Sequence, residues 1–562
     1  MRNTLIFFIL FSVFSQAQDI YPQDYFRSPL DIELVLSGTF AELRSNHFHS
    51  GLDIKTKQRE GLNVYATASG YVSRIKVSHY GYGKAIYVTH PNGYVTVYGH
   101  VQRFSDKIEA YVKKLQYKKE SFEIELFPDL NDLVVTKGDI IAYSGNTGGS
   151  GGPHLHYEIR DNQERPINPL LFGLKVKDTK KPLVSSVYAY PINDLSHVNG
   201  SNLKQKLRLI PLNNGDYKTE DLTAYGKIGF AVNTIDRQDL AANKNGVFKI
   251  ETFYNGMQNF TIDFRKFSFS ETKHLNRLID YKHYKDEKER LQKLFIDSNN
   301  PLSLYKNVID DGYLIIYDTL SNVYKVKITD FEGNQTNIDI NIKGIDQQPN
   351  DVAETFTSPY YIKTNEVNVL EDQNIKVEFP KQTFYEDFFI DFKVSGDTLK
   401  LDDNNKAVKK YFKISYDVSS YSPKDLKQLY IANVVGWNNF LNYSSTKQEK
   451  NTLYTRTKNL GTYCLTRDTV KPTITPVSFK DGQWLSKYRF LKLKIEDKES
   501  GISNYRATIN DQWILMEYDY KTKTLTYDFN DKVVTDTKNN LKVIVTDNVG
   551  NSSTFEASFF RK

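Results

Sequence analysis

The sequence is poor in the features that would cross-link the chain or hold it in a membrane. Its 562 residues include one cysteine, Cys464, so no internal disulfide can form and the fold depends on packing alone. Cys464 is far from the N-terminus, which excludes it as an N-terminal lipid attachment site. After the first residues, no stretch is long and apolar enough to span a bilayer. The net charge of +6 is small and diffuse; it suits an anionic polymer, but no basic cluster points to nucleic acid.

Apolar and aromatic residues are plentiful. Hydrophobic residues make up 39% of the chain, enough to form real cores, and the chain contains 39 Tyr and 34 Phe. Aromatic side chains favour β-strands, so we expect a mainly β protein. A chain of this length predicts about three to five domains.

The N-terminus has the pattern of a secretory signal peptide. Arg2 precedes an apolar run at 5–11, and small and polar residues follow up to Ala17. A transmembrane anchor is the alternative, but the run is short for a bilayer and Ser15-Gln16-Ala17 resembles a cleavage site. We predict cleavage after Ala17, export to the periplasm or cell envelope, and no transmembrane segment in the mature protein.

Two patterns recur in the second half of the chain. Asp178-Thr179-Lys180-Lys181-Pro182 returns as Asp468-Thr469-Val470-Lys471-Pro472, and the segment 325–334 returns as 542–551. The first pattern opens each unit, the second nearly closes it, and short strands lie between them, which predicts immunoglobulin-like β-sandwiches. The predicted divisions are a signal peptide at 1–17, an antiparallel β-sheet domain at 18–173, a β-sandwich at 174–346 with a helical insertion at about 270–297, a β-rich module at 347–465 and a β-sandwich at 466–562.

Histidines are concentrated in the first domain, where seven of the ten lie between positions 47 and 156. A Gly-rich run ends in His154-Leu155-His156. On a strand, His154 and His156 would share one face while Leu155 points into the core. A His-x-His pair alone is more often a coincidence than a pair of ligands, so the remaining ligands must come from elsewhere in the chain.

His49-Ser50-Gly51-Leu52-Asp53 offers those ligands, because Gly51 allows a bend that directs a histidine and a carboxylate to one point. With His156 they make an open three-ligand zinc site. Water in the fourth position would have its pKa lowered to about 7. His100, in Tyr98-Gly99-His100, and His154 remain outside this set and could orient the water, accept its proton or donate to the oxyanion.

These motifs together resemble those of the lysostaphin-type (LytM-like) zinc metallopeptidases, which cleave peptide bonds in peptidoglycan. The resemblance covers about residues 35–172 and rests on His49-x-Gly51-x-Asp53, Tyr98-Gly99-His100 and the segment 147–158. It implies one Zn²⁺ per chain and a compact antiparallel β-sheet domain with the site in a groove. It also implies a division of roles among five residues: His49, Asp53 and His156 as metal ligands, and His100 and His154 as catalytic residues.

The predicted function is therefore that of an exported zinc endopeptidase acting on peptidoglycan crosslinks. Its expected partners are a peptidoglycan peptide and, through the immunoglobulin-like modules, an envelope protein. One alternative is a non-catalytic LytM-like regulator of other cell-wall hydrolases, which is disfavoured because all five site residues are present. The other is a protease of a non-murein protein, with the β-sandwiches choosing the target.

Two features near the site carry further expectations. The segment at about 104–132 is longer than in the minimal family domain, and we expect it to form a groove wall or lid beside His100. Glu158 would lie on the histidine face and could orient an imidazole; the alternative is a glutamate that is solvent-exposed or salt-bridged. His47, His79 and His90 are expected to be structural.

Overall fold

A computed structural model describes residues 21–351 and 356–562 of the chain. The predicted signal peptide at 1–17 lies outside the described residues. The protein is mainly β, with largely antiparallel sheets, which confirms the predicted fold class. Over the described part of the chain, no helix has the length and apolar character needed to cross a bilayer.

The N-terminal region, as described from residue 21 to residue 173, contains twelve strands and one α-helix. They are β1 (Leu36–Gly38), β2 (Leu52–Lys55), β3 (Asn63–Tyr65), β4 (Gly70–Val77), β5 (Lys84–Thr89), β6 (Val95–Gly99), β7 (Arg103–Phe104), α1 (Asp106–Lys119), β8 (Ile124–Leu126), β9 (Val134–Val135), β10 (Ile140–Tyr143), β11 (His154–Arg160) and β12 (Pro166–Ile167), followed by a 3₁₀ turn at Pro169–Phe172.

The main sheet of this region has the order β1-β2-β11-β6-β5-β4-β8, so β11 lies near its middle. The alternate residues Leu155, Tyr157 and Ile159 are fully buried in the core. The other face of β11 therefore carries His154, His156 and Glu158. In the sequence, Ile108, Tyr111, Val112 and Leu115 stand at helical spacing after Ser105-Asp106, which predicts a short helix at 105–119, and α1 confirms it.

Apolar and polar residues alternate at several points of the segment 28–44, which predicts strands, but only Leu36–Gly38 is a strand there. Leu30 and Leu34 are buried although they lie in irregular chain. The apolar positions in this segment therefore reflect burial of a loop against the core and not the alternation of a strand.

Residues 174–346 form a second β region. Its elements are β13 (Leu183–Pro191), β14 (His197–Val198), β15 (Gln205–Leu207), β16 (Leu209–Pro211), β17 (Tyr217–Thr219), β18 (Leu222–Ile235), β19 (Lys249–Tyr254), β20 (Met257–Asp263), α2 (Leu275–Leu278), α3 (Tyr281–Glu287), β21 (Gln292–Lys293), β22 (Tyr305–Lys306), β23 (Leu314–Ile316), β24 (Ser321–Thr329) and β25 (Gln335–Gly344), with 3₁₀ turns at Thr272–His274 and Asp310–Gly312. The predicted helical insertion thus consists of two short helices and a 3₁₀ turn.

The next region contains two five-stranded sheets and a short strand pair. Its elements are β26 (Tyr361–Ile362), β27 (Asn368–Asp372), β28 (Ile375–Phe379), β29 (Phe388–Phe389), β30 (Phe392–Ser395), β31 (Thr398–Leu401), β32 (Phe412–Asp417), α4 (Pro423–Leu426), β33 (Leu429–Val435), β34 (Phe440–Ser444), β35 (Lys447–Glu449), β36 (Thr452–Thr457) and β37 (Gly461–Arg467).

The last region packs a four-stranded sheet on a five-stranded one around a shared core. Its elements are β38 (Thr473–Pro476), β39 (Gln483–Trp484), β40 (Phe490–Glu496), β41 (Ile502–Ile509), β42 (Gln512–Trp513), β43 (Glu517–Asp519), β44 (Thr524–Asp528), a 3₁₀ turn at Phe529–Asp531, β45 (Lys538–Asp547) and β46 (Ser552–Phe560). Its immunoglobulin-like character stays a prediction.

Buried apolar residues show how these regions are joined. One continuous cluster runs from Phe26 to Ile342, so the N-terminal region and the region after it share a core. Separate clusters fill the third region, from Ile362 to Leu465, and the last region, from Phe479 to Phe559. Burial of apolar surface therefore fixes the second region firmly against the first.

The last region also contacts the N-terminal region, through charged and aromatic residues. The buried Lys84 pairs with Glu517 at 2.8 Å. On α1, Lys113 forms an ion pair with Asp531, and the Tyr117 hydroxyl donates to the same carboxylate at 2.8 Å. The segment predicted as a groove wall or lid is thus a platform for the last β region.

Candidate metal centre

Strand register places the predicted site residues side by side. His156 on β11 lies opposite Asp53 on β2 and, on its other side, opposite Gly99 at the end of β6. Because directly paired residues point to the same face, the carboxylate of Asp53 and the imidazole of His156 meet above the sheet. His100 follows Gly99 immediately and so arrives at the same place.

Three donor atoms converge on one point. The Nε2 atom of His49 lies 3.0 Å from Oδ1 of Asp53 and 3.1 Å from Nδ1 of His156. Nδ1 of His156 lies 2.9 Å from the same Asp53 oxygen. The structure therefore brings His49, Asp53 and His156 together as a group able to hold a metal ion.

The far side of each imidazole is held by the protein. Nδ1 of His49 donates to the carbonyl of Thr39 at 2.7 Å. Nε2 of His156 donates to Oε1 of Glu158 at 2.8 Å. These bonds fix the ring orientations and direct Nε2 of His49 and Nδ1 of His156 towards Asp53, as is usual for histidines that bind metals.

Glu158 is fully buried and orients His156, the first of the two roles considered for it. Its Oε1 also accepts from the hydroxyls of Ser50 and Tyr82, and its Oε2 accepts from Nε of Arg160 at 2.6 Å. Arg160 is in turn paired with Glu164 at 2.9 Å. The position of Glu158 two residues after His156 was the only sequence signal for this network.

Both carboxylates of the centre are ionised at neutral pH. Burial opposes ionisation of Asp53, but the electrostatic effect of the adjacent His49 and hydrogen bonds from the neighbouring imidazoles hold the pKa of Asp53 well below the usual range. Burial likewise opposes ionisation of Glu158, and the Arg160 guanidinium together with His156 lowers the pKa of Glu158 far below its ordinary value. Two negative charges beside these imidazoles make the centre suited to a cation.

His100 and His154 flank this centre, with their ring centroids 4.7 Å apart. Nδ1 of His100 donates to the carbonyl of Thr147 at 2.8 Å, and Nδ1 of His154 lies 2.9 Å from the carbonyl of Gly152. Nδ1 of each ring is therefore engaged with the backbone, which leaves Nε2 on the side of the centre; Nε2 of His154 lies 3.4 Å from Oδ1 of Asp53.

The protonation state and backbone of His100 are both unusual. Burial, followed by the neighbouring imidazoles of His156 and His154, lowers the pKa of His100 to about 3, so the ring is neutral at neutral pH. His100 also has a φ of +60°, in the left-handed region that a non-glycine residue seldom adopts. Its backbone N–H donates to the carbonyl of Tyr82 at 2.9 Å, and this bond helps to hold the strained conformation.

The five residues lie in a groove of about 910 Å³. One wall is the Gly-rich segment at Gly149–Gly151, and the second β region adds Phe269, Thr272 and Arg290. Four further basic side chains line the groove, namely Arg44, Arg74, Lys76 and Arg160. No short pattern in the sequence indicates the contribution of the second region, because that contribution depends on how the two regions pack.

The expectation for the segment 104–132 was wrong. None of the residues that line the groove comes from it. Its helix packs against the last β region, where the rings of Tyr117 and Trp513 meet with centroids 5.3 Å apart. That region reaches the groove edge with Lys521, whose ammonium donates to the carbonyl of Ser150 at 3.3 Å.

The remaining histidines of this region fall outside the centre. His90 is buried, with its ring nitrogens at 2.9 Å from the carbonyl of Ser69 and 2.8 Å from the hydroxyl of Thr96, which fits the structural role expected for it. His79 stacks on Phe122 away from the groove. His47 is exposed and lines the groove beside the centre.

The donor set fits zinc. Two imidazole nitrogens and one carboxylate oxygen are ligands that zinc accepts, and three protein ligands leave a position for water or substrate. The three donor atoms lie within 4.8 Å of one another, and the outer nitrogens of both histidines are already engaged. The residues present therefore fit the metal that the sequence motifs predict.

Comparison with known proteins agrees with this geometry. The model of "Peptidase family M23" matches residues 47–117 and 131–169, which contain all five site residues. The chain therefore carries a metallopeptidase domain of family M23, the LytM/lysostaphin type, as its resemblance to that family predicted. A "Zu5-like domain" model matches residues 359–468, which span the strands β26 to β37.

Two curated relatives match the same part of the chain. The "DD-carboxypeptidase/endopeptidase Mpg" of Neisseria meningitidis serogroup B is 33% identical over 132 residues, 24% of this chain and 24% of the relative. An "Uncharacterized metalloprotease" of Haemophilus influenzae is 30% identical over 167 residues, 29% of this chain and 30% of the relative. The match thus spans less than a third of either relative.

Solved structures of two catalytic domains are similar to the same region. The lysostaphin catalytic domain from Staphylococcus simulans has 23% identity, with 25% of this chain and 88% of that chain covered and a TM-score of 0.18. The catalytic domain of the prophage-encoded M23 protein EnpA from Enterococcus faecalis has 23% identity, with 27% and 98% covered and a TM-score of 0.20.

Proposed function

We propose that the protein is an exported zinc metalloendopeptidase that hydrolyses peptide bonds in peptidoglycan crosslinks. The observation that carries the proposal is the convergence of His49, Asp53 and His156 on one point, with His100 and His154 beside it. In this proposal the first three residues bind one Zn²⁺ per chain. The last two are catalytic residues.

The proposed chemistry divides the work between the metal and the histidines. Bound zinc would supply a Lewis acid and a water whose pKa is lowered to about 7. His100 and His154 present Nε2 atoms to the groove, since their Nδ1 atoms face backbone carbonyls. One ring accepts the proton of the attacking water, and the other donates to the oxygen that becomes negative.

The groove favours a peptide that carries carboxylates. Five basic side chains line it, whereas Glu42 and Asp53 are its acidic lining residues in the described chain. Asp53 is occupied within the centre. Arg44, Arg74 and Arg160 are paired with Asp53, Glu125 and Glu158, so Lys76 and Arg290 remain to attract substrate charge. This distribution supports an anionic substrate such as the peptides of peptidoglycan.

Mass spectrometry of purified peptidoglycan digested with the full chain tests the function. We expect new free peptide ends at crosslinks. His156→Ala should abolish them and lose zinc, because it removes a ligand, whereas His154→Ala should keep zinc and lose turnover. The thermal midpoint of each variant checks that it is folded.

Two results would count against the proposal. An unchanged muropeptide profile from folded, zinc-loaded protein would favour the regulator or the non-murein protease. Normal hydrolysis by the His156→Ala variant would show that the metal ligands are assigned wrongly.

A further inference from the structure

The two copies of the repeat each bring three aspartates together. In the second β region, Asp178, Asp236 and Asp330 offer carboxylate oxygens within 4.8 Å of one another. In the last β region, Asp468, Asp497 and Asp547 do the same. We refer to them as the first and second acidic clusters; neither belongs to the peptidase groove.

The two clusters occupy equivalent places in their folds. One aspartate precedes the first strand of its unit, β13 or β38. The second directly follows the strand that pairs with that first strand, β18 or β40. The third lies where a long hairpin turns, between β24 and β25 or at the end of β45. Each cluster therefore joins the start of its unit to two later strand ends.

Matching hydrogen bonds hold the third aspartate in both copies. Oδ1 of Asp330 accepts from the backbone N–H of Asn334 at 2.9 Å, and Oδ1 of Asp547 accepts from that of Asn551 at 2.8 Å. The amide group of each asparagine also donates to the backbone carbonyl of the first aspartate, Asp178 or Asp468, at 3.3 and 3.2 Å. Because the same hydrogen bonds occur in both copies, the carboxylate of the third aspartate has the same orientation in each.

The second aspartate of each cluster has a buried oxygen without a hydrogen-bond partner. Among the described residues, Oδ1 of Asp236 and Oδ2 of Asp497 both lack one. Asp236 is only 3% exposed. Leaving a buried carboxyl oxygen without a partner is costly, so its recurrence at equivalent positions indicates a ligand that both units share.

The surroundings of these aspartates are also suited to a cation. Beside the first cluster, Asp178 and Asp236 line a cavity of about 20 Å³, the size of a single small occupant.

We propose that each acidic cluster binds one calcium ion, at the point where its β region begins. The donors are carboxylate oxygens, with no histidine or cysteine in either group, and such donors suit a hard cation and not zinc. Six to eight oxygen ligands are usual for calcium, so backbone carbonyls and water complete each site. The ion ties the first residues of each region to its later strands and so stiffens the joint with the preceding region.

Equilibrium dialysis of the full, zinc-loaded chain against ⁴⁵Ca²⁺ tests the proposal. We expect about two Ca²⁺ per chain. Asp236→Asn and Asp497→Asn should each lose about one ion, and the double variant should lose both. Asn is nearly isosteric, and the oxygen that has no partner is the one whose charge is removed, so these variants should fold without calcium.

Thermal unfolding provides a second readout. Calcium should raise the midpoint of the wild-type protein by a few degrees, because a ligand that binds only the folded state stabilises it. The rise should shrink in each single variant and vanish in the double variant. Asp194→Asn, an exposed aspartate beyond the far end of β13, is the matched control and should behave as wild type.

The proposal is overturned if the double variant binds as much ⁴⁵Ca²⁺ as the Asp194→Asn control. It is also overturned if zinc or magnesium, but not calcium, raises the midpoint in a way that depends on Asp236 and Asp497. Neither result bears on peptide hydrolysis, because the clusters share no residue with the peptidase centre.

Discussion

The peptidase centre and the two acidic clusters are built from different donors and show two ways in which one chain can hold a cation. The centre uses two imidazoles and one carboxylate, and it opens into a groove of about 910 Å³. The clusters use three carboxylates each, and the cavity beside the first is about 20 Å³. A site for chemistry needs room for substrate, whereas a structural site needs only its ion.

The groups that hold the donor side chains in place also differ between the two kinds of site. In the centre, a charged network from Glu158 through Arg160 to Glu164 supports His156. In the clusters, the support comes from backbone N–H groups and one asparagine in each turn. The centre therefore depends on side chains whose loss alters function, and the clusters depend on chain geometry whose loss alters stability.

The largest effect should come from removing all metal and adding back zinc or calcium alone, because each ion should restore a different property. Zinc alone, added to metal-free protein, should restore peptide hydrolysis. We expect the rate to rise by about three orders of magnitude or more, because the metal activates the water. Calcium alone should restore the thermal midpoint but not hydrolysis. Activity and midpoint are measured on the same samples. Hydrolysis restored by calcium alone would contradict the distinction between a catalytic zinc site and structural calcium sites.

Glu158→Gln should weaken zinc binding and turnover, although Glu158 is not one of the metal ligands. The substitution removes the charge that holds His156 and leaves Arg160 partly unpaired, so zinc affinity and turnover should fall by about 10–100-fold. Zinc titration and hydrolysis rates measure this. Glu164→Gln, which removes the exposed partner of the same arginine, should change zinc affinity less than about threefold. Equal losses in both variants would mean that the network does not act through His156.

Gly51→Ala should disturb the sheet that holds the centre. A Cβ atom there would come within 2.3 Å of the Tyr157 carbonyl and 2.8 Å of Glu158 Cγ. We expect β2 to shift from β11, lowering the free energy of unfolding by about 2–3 kcal/mol and weakening zinc binding. Gly151→Ala, where nothing lies within 4 Å, is the control. Denaturant unfolding gives both values, and an unchanged midpoint for Gly51→Ala would contradict the packing described.

Gly333→Ala and Gly550→Ala should have the smallest effects. Both glycines lie in the turns of the acidic clusters with φ of +90° and +98°, and nothing lies within 4 Å of an added Cβ. Backbone strain alone should cost about 1 kcal/mol, as at Gly256, whose φ is +84° and which is far from either cluster. Calcium stoichiometry should not change. A larger loss than at Gly256, measured by denaturant unfolding, would mean that the turns are coupled to the ion.

Much of the centre could be predicted because its residues stand in short local patterns. His154 and His156 have the spacing of one strand face, and Gly51 separates His49 from Asp53 in a way that allows a bend. The structure brings these residues together with His100. Local spacing is preserved on folding, so such patterns survive from sequence to structure.

Other parts of the site depended on distant contacts. The segment 104–132 was expected beside the groove, but α1 instead packs against the last β region through Tyr117 and Asp531. The contribution of Arg290 to the groove was not foreseen, since that residue lies in the second region. The repeat was recognised as a mark of module boundaries, while the aspartates within it were overlooked as possible ligands.

The sequence by itself determined the family of the first domain, the mainly β fold and the donor types of the metal centre, because these follow from residue chemistry and local period. Tertiary structure decided which histidine nitrogen faces the centre, that Glu158 is buried against His156, and that six aspartates close into two clusters. Those features depend on strand register and on packing between segments far apart in the chain, and no short pattern specifies either.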